Sequence, residues 1–336
     1  MTVQLGLAYK NFAASRNISH VGLGVAALNT SKCLRRAGIQ TDVWPIVDAA
    51  DLRKRLDGRA TTHVVISAPW IPSPDLQRLT LDFPEVQFAV LCHSNVGFLQ
   101  ADANGVRRFG EGMEIERGSH NFRMGGNSRK FVEWVHGAFS VPCEYLPNLY
   151  YLDGHVPANR PIFRGGLLRV GAFGATRPLK NLMSAAGAAL AISRDLDVDL
   201  EFWVTSGRDE GGGGILRAIH EMFGITRHAC VVEAGWQSWH NHRKNVSLMD
   251  LLISCSYTES FNMVTADGIA EGVASVTSDA IDWVPPHWHA QADNVTDMAR
   301  VGRCLLCDPN TGRDGLRALT AHNDDGLSQW RGFLAA

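Results

Sequence analysis

Residues 250–279 read DLLISCSYTESFNMVTADGIAEGVASVTSD: a short apolar run, a polar loop holding an acid, a helix and a second short strand. Leu251, Leu252 and Ile253 give way to small polar residues, as a parallel-sheet strand does at its carboxyl edge. Glu259 follows in a Ser/Tyr/Thr-rich loop and is expected to be exposed there. A helix opens near Asn262, carries Asp267 and Glu271, and stops at Gly272. An acid beside a helix N-terminus, at the carboxyl end of a strand, is where open α/β sheets bind ligands.

Working outward, the same alternation fills the chain. VQLGLAY (3–9), TDVWPIV (41–47), THVVISAP (62–69) and QFAVLCHS (87–94) read as strands with helical stretches between them. A Gly-containing loop, SHVGLGV, leads into the first helix. MGGNSRKFVEWVHGAF (124–139) reads as a loop and then an amphipathic helix, and CEYLPNLY (143–150) as a strand. Residues 154–166, rich in Pro, Gly and charge, are the expected linker. Strands at LLRVGAFG, LEFWVTS and ACVVEAG then alternate with helices from Asn181, around 213–223 and around 240–249. The Gly run at 211–214 reads as a mobile loop tip, and DDGLSQWRGFLAA as a closing helix. Alternation of this kind predicts parallel sheets wrapped by helices, an α/β chain.

The bulk numbers agree with that. A chain of 336 residues suits two domains, and 45% hydrophobic with 20% charged residues describes a globular protein. No apolar run reaches the ~20 residues of a membrane span. The start lacks a signal-peptide pattern, and seven scattered cysteines suit reduced thiols, so a cytoplasmic location is expected. Residues 1–160 hold 17 Lys and Arg against 14 Asp and Glu, which leaves room for an anionic acceptor without demanding one.

The residues able to do chemistry are few. In GAFGATRPLKN (171–181), Arg177 and Lys180 stand three apart before a helix. Arg can engage phosphate oxygens bidentately and Lys acts as a point charge; a solvated basic loop is the plain alternative. Gly22 and Gly24 let a backbone approach a ligand closely, though the pattern is not G-x-G-x-x-G because residue 27 is Ala. His93 ends a strand, at an edge where ligands bind, and a satisfied core histidine is its alternative. Cys304 and Cys307 have zinc-knuckle spacing but no second pair, and read as core cysteines on a strand. The histidine pairs His240/His242 and His287/His289 read as lining a surface or cleft, not as a metal site. Trp236 and Trp239 suit either stacking or core.

Four segments in this order resemble the retaining glycosyltransferases of the GT-B fold, the glycosyltransferase family 4-like group. They are GLGV near the start, GNSRKFVEWVHGAF…YLPN (126–148), GAFGATRPLKN, and SYTESFNMVTADGIAEGVASVTSD, together spanning roughly residues 3–285. The resemblance implies two Rossmann-like domains facing a deep cleft: 1–155 on the acceptor side, 156–320 for the donor nucleotide sugar. A closing helix at 321–336 would cross back to the first domain. It implies that Arg177 and Lys180 neutralise the donor diphosphate and that Glu259 lies near the donor sugar's hydroxyls. Ser260, Phe261, Asn262 and Met263 would line the sugar and phosphates, Asp267 would hold the ribose, His93 would face the sugar, and Gly22 and Gly24 the diphosphate. Two departures stand out. The second acid is Asp where the family has Glu, and the family's Gly-Phe-Gly is Ser260-Phe261-Asn262.

The implied reaction is metal-independent transfer with retention from a nucleotide-diphosphate sugar to a hydroxyl. UDP-sugar is the first expectation for the donor, with GDP- or ADP-sugar behind it, and no further cofactor is expected. Asp195 and Asp197 lie at a helix-to-strand junction, not in a loop placed to hold a metal. A nucleotide-sugar epimerase of the same fold, or a non-catalytic nucleotide-sugar-binding protein, are the alternatives. The acceptor is open: a small molecule, a glycan, or a modified base in DNA of the kind phage enzymes glycosylate. The stretch 105–130, read as a mixed-charge mobile loop with six cations against three glutamates, is where a polyanion would dock.

Overall fold

The computed structural model describes residues 3–11, 20–154 and 163–335. The chain divides into two compact units, 1–151 with 322–336, and 152–321. The expected boundary at 155/156 and most of the expected linker lie outside the described residues.

Unit 1 runs β1 (Gln4–Lys10), α1 (His20–Arg36), β2 (Gln40–Ile46), α2 (Ala49–Leu56), β3 (His63–Ser67), α3 (Ser73–Asp82), β4 (Gln87–Cys92), α4 (Val96–Leu99), α5 (Ala103–Gly118), β5 (Phe122–Gly126), α6 (Arg129–Phe139) and β6 (Glu144–Tyr145). Its strands pair in parallel, in the order β2-β1-β3-β4-β5-β6. Central strands such as β3, HVVIS, are buried along their whole length, because helices cover both faces of a parallel sheet.

Unit 2 runs β7 (Leu167–Ala172), α7 (Leu182–Leu196), β8 (Asp199–Thr205), α8 (Ile215–Gly224), β9 (Ala229–Ala234), α9 (Trp239–Ser247), β10 (Leu251–Ser254), α10 (Met263–Ala270), β11 (Ser275–Thr277), α11 (Val295–Cys307) and the start of α12 (Thr311–Ala335). The parallel order is β11-β10-β7-β8-β9. The order in which successive strands are added reverses between β7 and β10, which run parallel to each other. Their carboxyl ends therefore splay two loops apart at a topological switch point, the position where doubly wound sheets hold ligands. Residues 250–279 form β10, α10 and β11, as the apolar runs and a helix opening near Asn262 predict.

The end of α12 packs within unit 1. Trp330, Phe333 and Leu334 join Leu5, Leu7 and Leu34 in one core cluster. Trp330 Nε1 donates to the carbonyl of Pro147 at 3.0 Å. Asn323 closes a two-way bond with the Tyr150 backbone, at 2.9 and 2.8 Å. Each buried side chain of this size contributes about 1.5–3 kcal/mol, so the helix end is an integral part of the unit.

Several expectations are corrected. The stretch read as a mobile loop at 105–130 is α5 followed by β5. Its glycines hide the helical period, but Asp102 caps the helix by accepting from Gly105 N at 2.9 Å, and Phe109, Gly112 and Ile115 face inward. A Cβ at Gly112 would collide with the Met124 sulfur, so the Met124 side chain would have to shift to admit one. Met124 to Gly126 belong to β5 instead of a loop, and the strand expected over 143–150 is only two residues long. Gly22 and Gly24 lie in the first turns of α1. Cys304 and Cys307 lie one turn apart on α11 and are exposed, not core residues on a strand.

Candidate active site

The loop after β7 starts at Gly174, whose φ of +120° favours glycine, and the Lys180 stem packs 3.5 Å from where a Cβ would sit. Arg177 then precedes a single 3-10 turn, Pro178–Lys180. Asn181 closes that turn in the left-handed region (φ 56°) and donates to Cys255 O at 3.1 Å. Tyr257 N donates to Leu179 O at 3.0 Å. These bonds lace the loop after β7 to the loop after β10, so the cations of one meet the acid of the other.

Lys180 Nζ donates to Glu259 Oε1 at 2.5 Å, with the two side chains only 11% and 10% exposed. Ser256 Oγ donates to the same oxygen at 2.8 Å. Burial alone would push the Glu259 carboxyl up. Lys180, Arg177 and the Ser256 hydroxyl outweigh it and hold the carboxyl below the ordinary carboxylate range. Glu259 is thus a buried, ionised carboxylate instead of the exposed loop acid expected from its polar neighbours. Arg177 also faces Glu210 at 3.5 Å.

The start of α10 is built differently from its sequence appearance. Asn262 sits at φ 64°, a conformation glycine adopts freely and Asn tolerates, and its side chain accepts from Thr265 N at 2.9 Å. Asn262 therefore caps the helix. Phe261 is buried and stacks on Trp283 at 5.1 Å, and its carbonyl accepts from the Trp283 indole at 2.6 Å. Ser260 and Met263 are half-buried beside them. Asp267 is buried at 1% exposure, and its carboxylate accepts from Trp239 Nε1 at 2.9 Å. His242 Nε2 lies 3.6 Å from the other Asp267 oxygen. The His242 ring meets Phe173 edge-on at 5.3 Å, and burial lowers its pKa to about 4. Trp239 and His242, on α9, were not tied to Asp267 by any spacing in the sequence; only the fold brings α9 beside α10.

His93 and the two glycines lie in unit 1. His93 follows β4, and its Nδ1 pairs with Asn127 Nδ2 at 3.2 Å. Its Nε2 is buried without a partner among the described residues, and burial lowers the ring's pKa to about 4, so the ring is neutral. It lines a cavity of about 420 Å³ together with Trp70, Ser94, Arg107 and Arg108. Gly22 is exposed; at Gly24 an added Cβ would stand 3.0 Å from the Tyr9 ring.

Three carboxyl or imidazole groups among the described residues could share a divalent ion. His287, Asp308 and Asp314 have ligating atoms within 4.8 Å of one another. They come from the turn after β11 and the ends of α11 and α12, not from the loops that hold Lys180 and Glu259. His240 and His289 do not join them; His289 Nε2 instead contacts the Ile281 carbonyl at 3.0 Å. Among the described residues no helix is long and apolar enough to cross a membrane.

No family model matches the chain, and no curated protein does. Solved structures do. Sucrose-phosphate synthase from Thermosynechococcus elongatus superposes with a TM-score of 0.68 at 14% identity, over 99% of this chain and 98% of that one. A UDP-forming α,α-trehalose-phosphate synthase from Burkholderia vietnamiensis gives 0.65 at 10% identity, over 100% and 96%. A variant of S. aureus TarM, in complex with fondaparinux, α-GlcNAc-glycerol and UDP, gives 0.57 at 13% identity over 81% of this chain. The match spans 55% of that TarM chain. These neighbours are GT-B glycosyltransferases, and the chain has the GT-B fold. At such identities the likeness concerns the fold.

Proposed function

We propose that this chain is a glycosyltransferase that moves a sugar from a nucleoside-diphosphate sugar to a hydroxyl acceptor, with retention at the anomeric carbon and without a metal. The observation that carries the reading is the buried Lys180–Glu259 pair at the switch point of unit 2, with Arg177 acting on the same carboxylate. When the anomeric carbon–oxygen bond breaks, negative charge grows on the leaving diphosphate. Arg177, Lys180 and the amino end of α10 supply fixed positive charge there. Glu259, ionised and held by Ser256, is an acceptor for the donor sugar's hydroxyls. The acceptor hydroxyl forms the new bond on the face being vacated, and its proton passes to the leaving phosphate, so no separate base is required.

Neighbours support a UDP-linked donor: UDP is present in the TarM complex, and the trehalose-phosphate synthase is UDP-forming. Asp267, with Trp239 and His242, is assigned to the nucleotide end of the site, and Ser260 to Met263 to the sugar and phosphates. On the acceptor side, the cavity lined by His93, Trp70 and Ser94 suits a small polyol or the end of a glycan. A DNA acceptor is disfavoured, because Arg107, Arg108 and Arg117 are already paired with Glu111 and Glu114 of their own helix.

The test is release of UDP from a panel of UDP-sugars with small hydroxyl acceptors. Wild type releases UDP and forms product only when acceptor is present; conversion of donor without acceptor would instead indicate an epimerase.

A further inference from the structure

The loop 206–214, which ends in the Gly run at 211–214 expected to be a mobile tip, is fastened to the loop that carries Arg177. Thr176 N donates to Arg208 O at 3.0 Å and Glu210 N to Thr176 O at 2.8 Å, making a short parallel bridge between Thr176 and Asp209. Gly207 and Gly211, both at φ +80°, bracket the three residues between them. Inside that bracket, Arg208 is almost enclosed: its side chain is 9% exposed, and its guanidinium lies 4.5 Å from the Trp236 ring centre. Arg208 Nε donates to Glu210 Oε1 at 2.9 Å, and the other Glu210 oxygen faces Arg177 at 3.5 Å.

One carboxylate therefore spans two guanidinium groups, one of which was assigned above to the donor diphosphate. A phosphate group presents the same features to arginine: two or more anionic oxygens able to take parallel N–H bonds. We propose that Arg208 is a third cationic ligand of the donor diphosphate and that Glu210 is its resident counterion, displaced when the donor binds. The inference rests on the donor-site reading of unit 2.

The local structure permits the exchange. The Glu210 side chain is 25% exposed and can rotate outward while its backbone N–H stays on Thr176. Arg208 cannot leave as readily, being stacked on Trp236 and enclosed. A carboxylate left in place would stand against the incoming phosphates, like charge beside like charge, and would weaken binding. The bridge between Thr176 and Asp209 would keep the two arginines at a fixed separation in both states.

The predicted signature is unusual, since deleting a site carboxylate strengthens binding. Titration calorimetry with UDP and with uridine as probes, on wild type, Glu210→Gln and Arg208→Gln, tests it. Glu210→Gln should tighten UDP about threefold to tenfold and leave uridine unchanged. Arg208→Gln should weaken UDP about tenfold with little effect on uridine, and the double variant should lose the Glu210→Gln gain. Unchanged or weaker UDP binding by Glu210→Gln, with a normal melting temperature, would overturn the inference while leaving the donor site standing. Failure of the wild type to prefer UDP over uridine would overturn both.

Discussion

Lys180 Nζ and Glu259 Oε1 stand 2.5 Å apart although 79 residues separate them in the chain, and both side chains are about nine-tenths enclosed. Two loops at the β7/β10 switch point make the pair, so one contact joins the cation and the acid that the sequence motifs offered separately. Removing either partner leaves an uncompensated charge in a low-dielectric site, at a cost of about 3–5 kcal/mol. Lys180→Ala and Glu259→Gln should each lower the melting temperature of unit 2. The double variant Lys180→Met/Glu259→Gln should recover part of that loss but no transfer. Thermal unfolding beside a UDP-release assay checks both halves.

Arg177 is expected to matter for rate more than for stability, since it is paired at the longer distance of 3.5 Å. Arg177→Gln should lower transfer by about 10²–10³-fold, the scale for removing one preorganised charge from a developing anion. Steady-state kinetics with a saturating acceptor would show it; a KM change alone would mean that Arg177 binds ground and transition states equally.

Asn262 does two jobs, adopting φ 64° and capping α10 through Thr265 N. Asn262→Ala loses the cap and adds the left-handed strain, and should cost about 2 kcal/mol. Asn262→Gly loses only the cap and should cost less. Chemical denaturation of the two variants ranks them.

How much of this was readable beforehand depends on the range of the interactions. The βα alternation, the strand–loop–helix at 250–279 and the basic residues at 177 and 180 follow from local period and turn chemistry. Three things were not local. Glu259 reads as exposed in SYTES because its partner Lys180 is remote in sequence. Asp267 reads as a ligand acid, but its neighbours Trp239 and His242 arrive from another helix. Helix α5 was hidden because four glycines break its apolar period, while the helix is held by the Asp102 cap and by the buried face of Phe109, Gly112 and Ile115.

His93 sets a pH dependence for unit 1. Its pKa is lowered to about 4 from an ordinary value near 6.5, so between those values the unfolded chain binds more protons than the folded one. Stability is full above about pH 6.5 and falls as pH drops toward 4, by at most ~1.4 kcal/mol per pH unit. His93→Gln should make that part of the stability profile shallower, the remaining slope coming from His63, which burial also lowers, as measured by denaturant midpoints from pH 7 to 4.5.

Glu259 acts at lower pH and in the same sense. Its carboxyl is held below the ordinary carboxylate range, so its contribution is present above that range and is lost as pH falls through the lowered value. Glu259→Gln should remove this acid-side loss from unit 2 while leaving the His93 region unchanged.

The most direct measurement of the central claim is UDP release from a UDP-sugar panel by wild type and by Lys180→Ala, with nucleotide binding followed in parallel. Wild type should release UDP only when acceptor is present, and Lys180→Ala should bind UDP more weakly and show no measurable transfer. Near-normal turnover by Lys180→Ala, or a folded wild type that binds no nucleoside diphosphate, would contradict that claim.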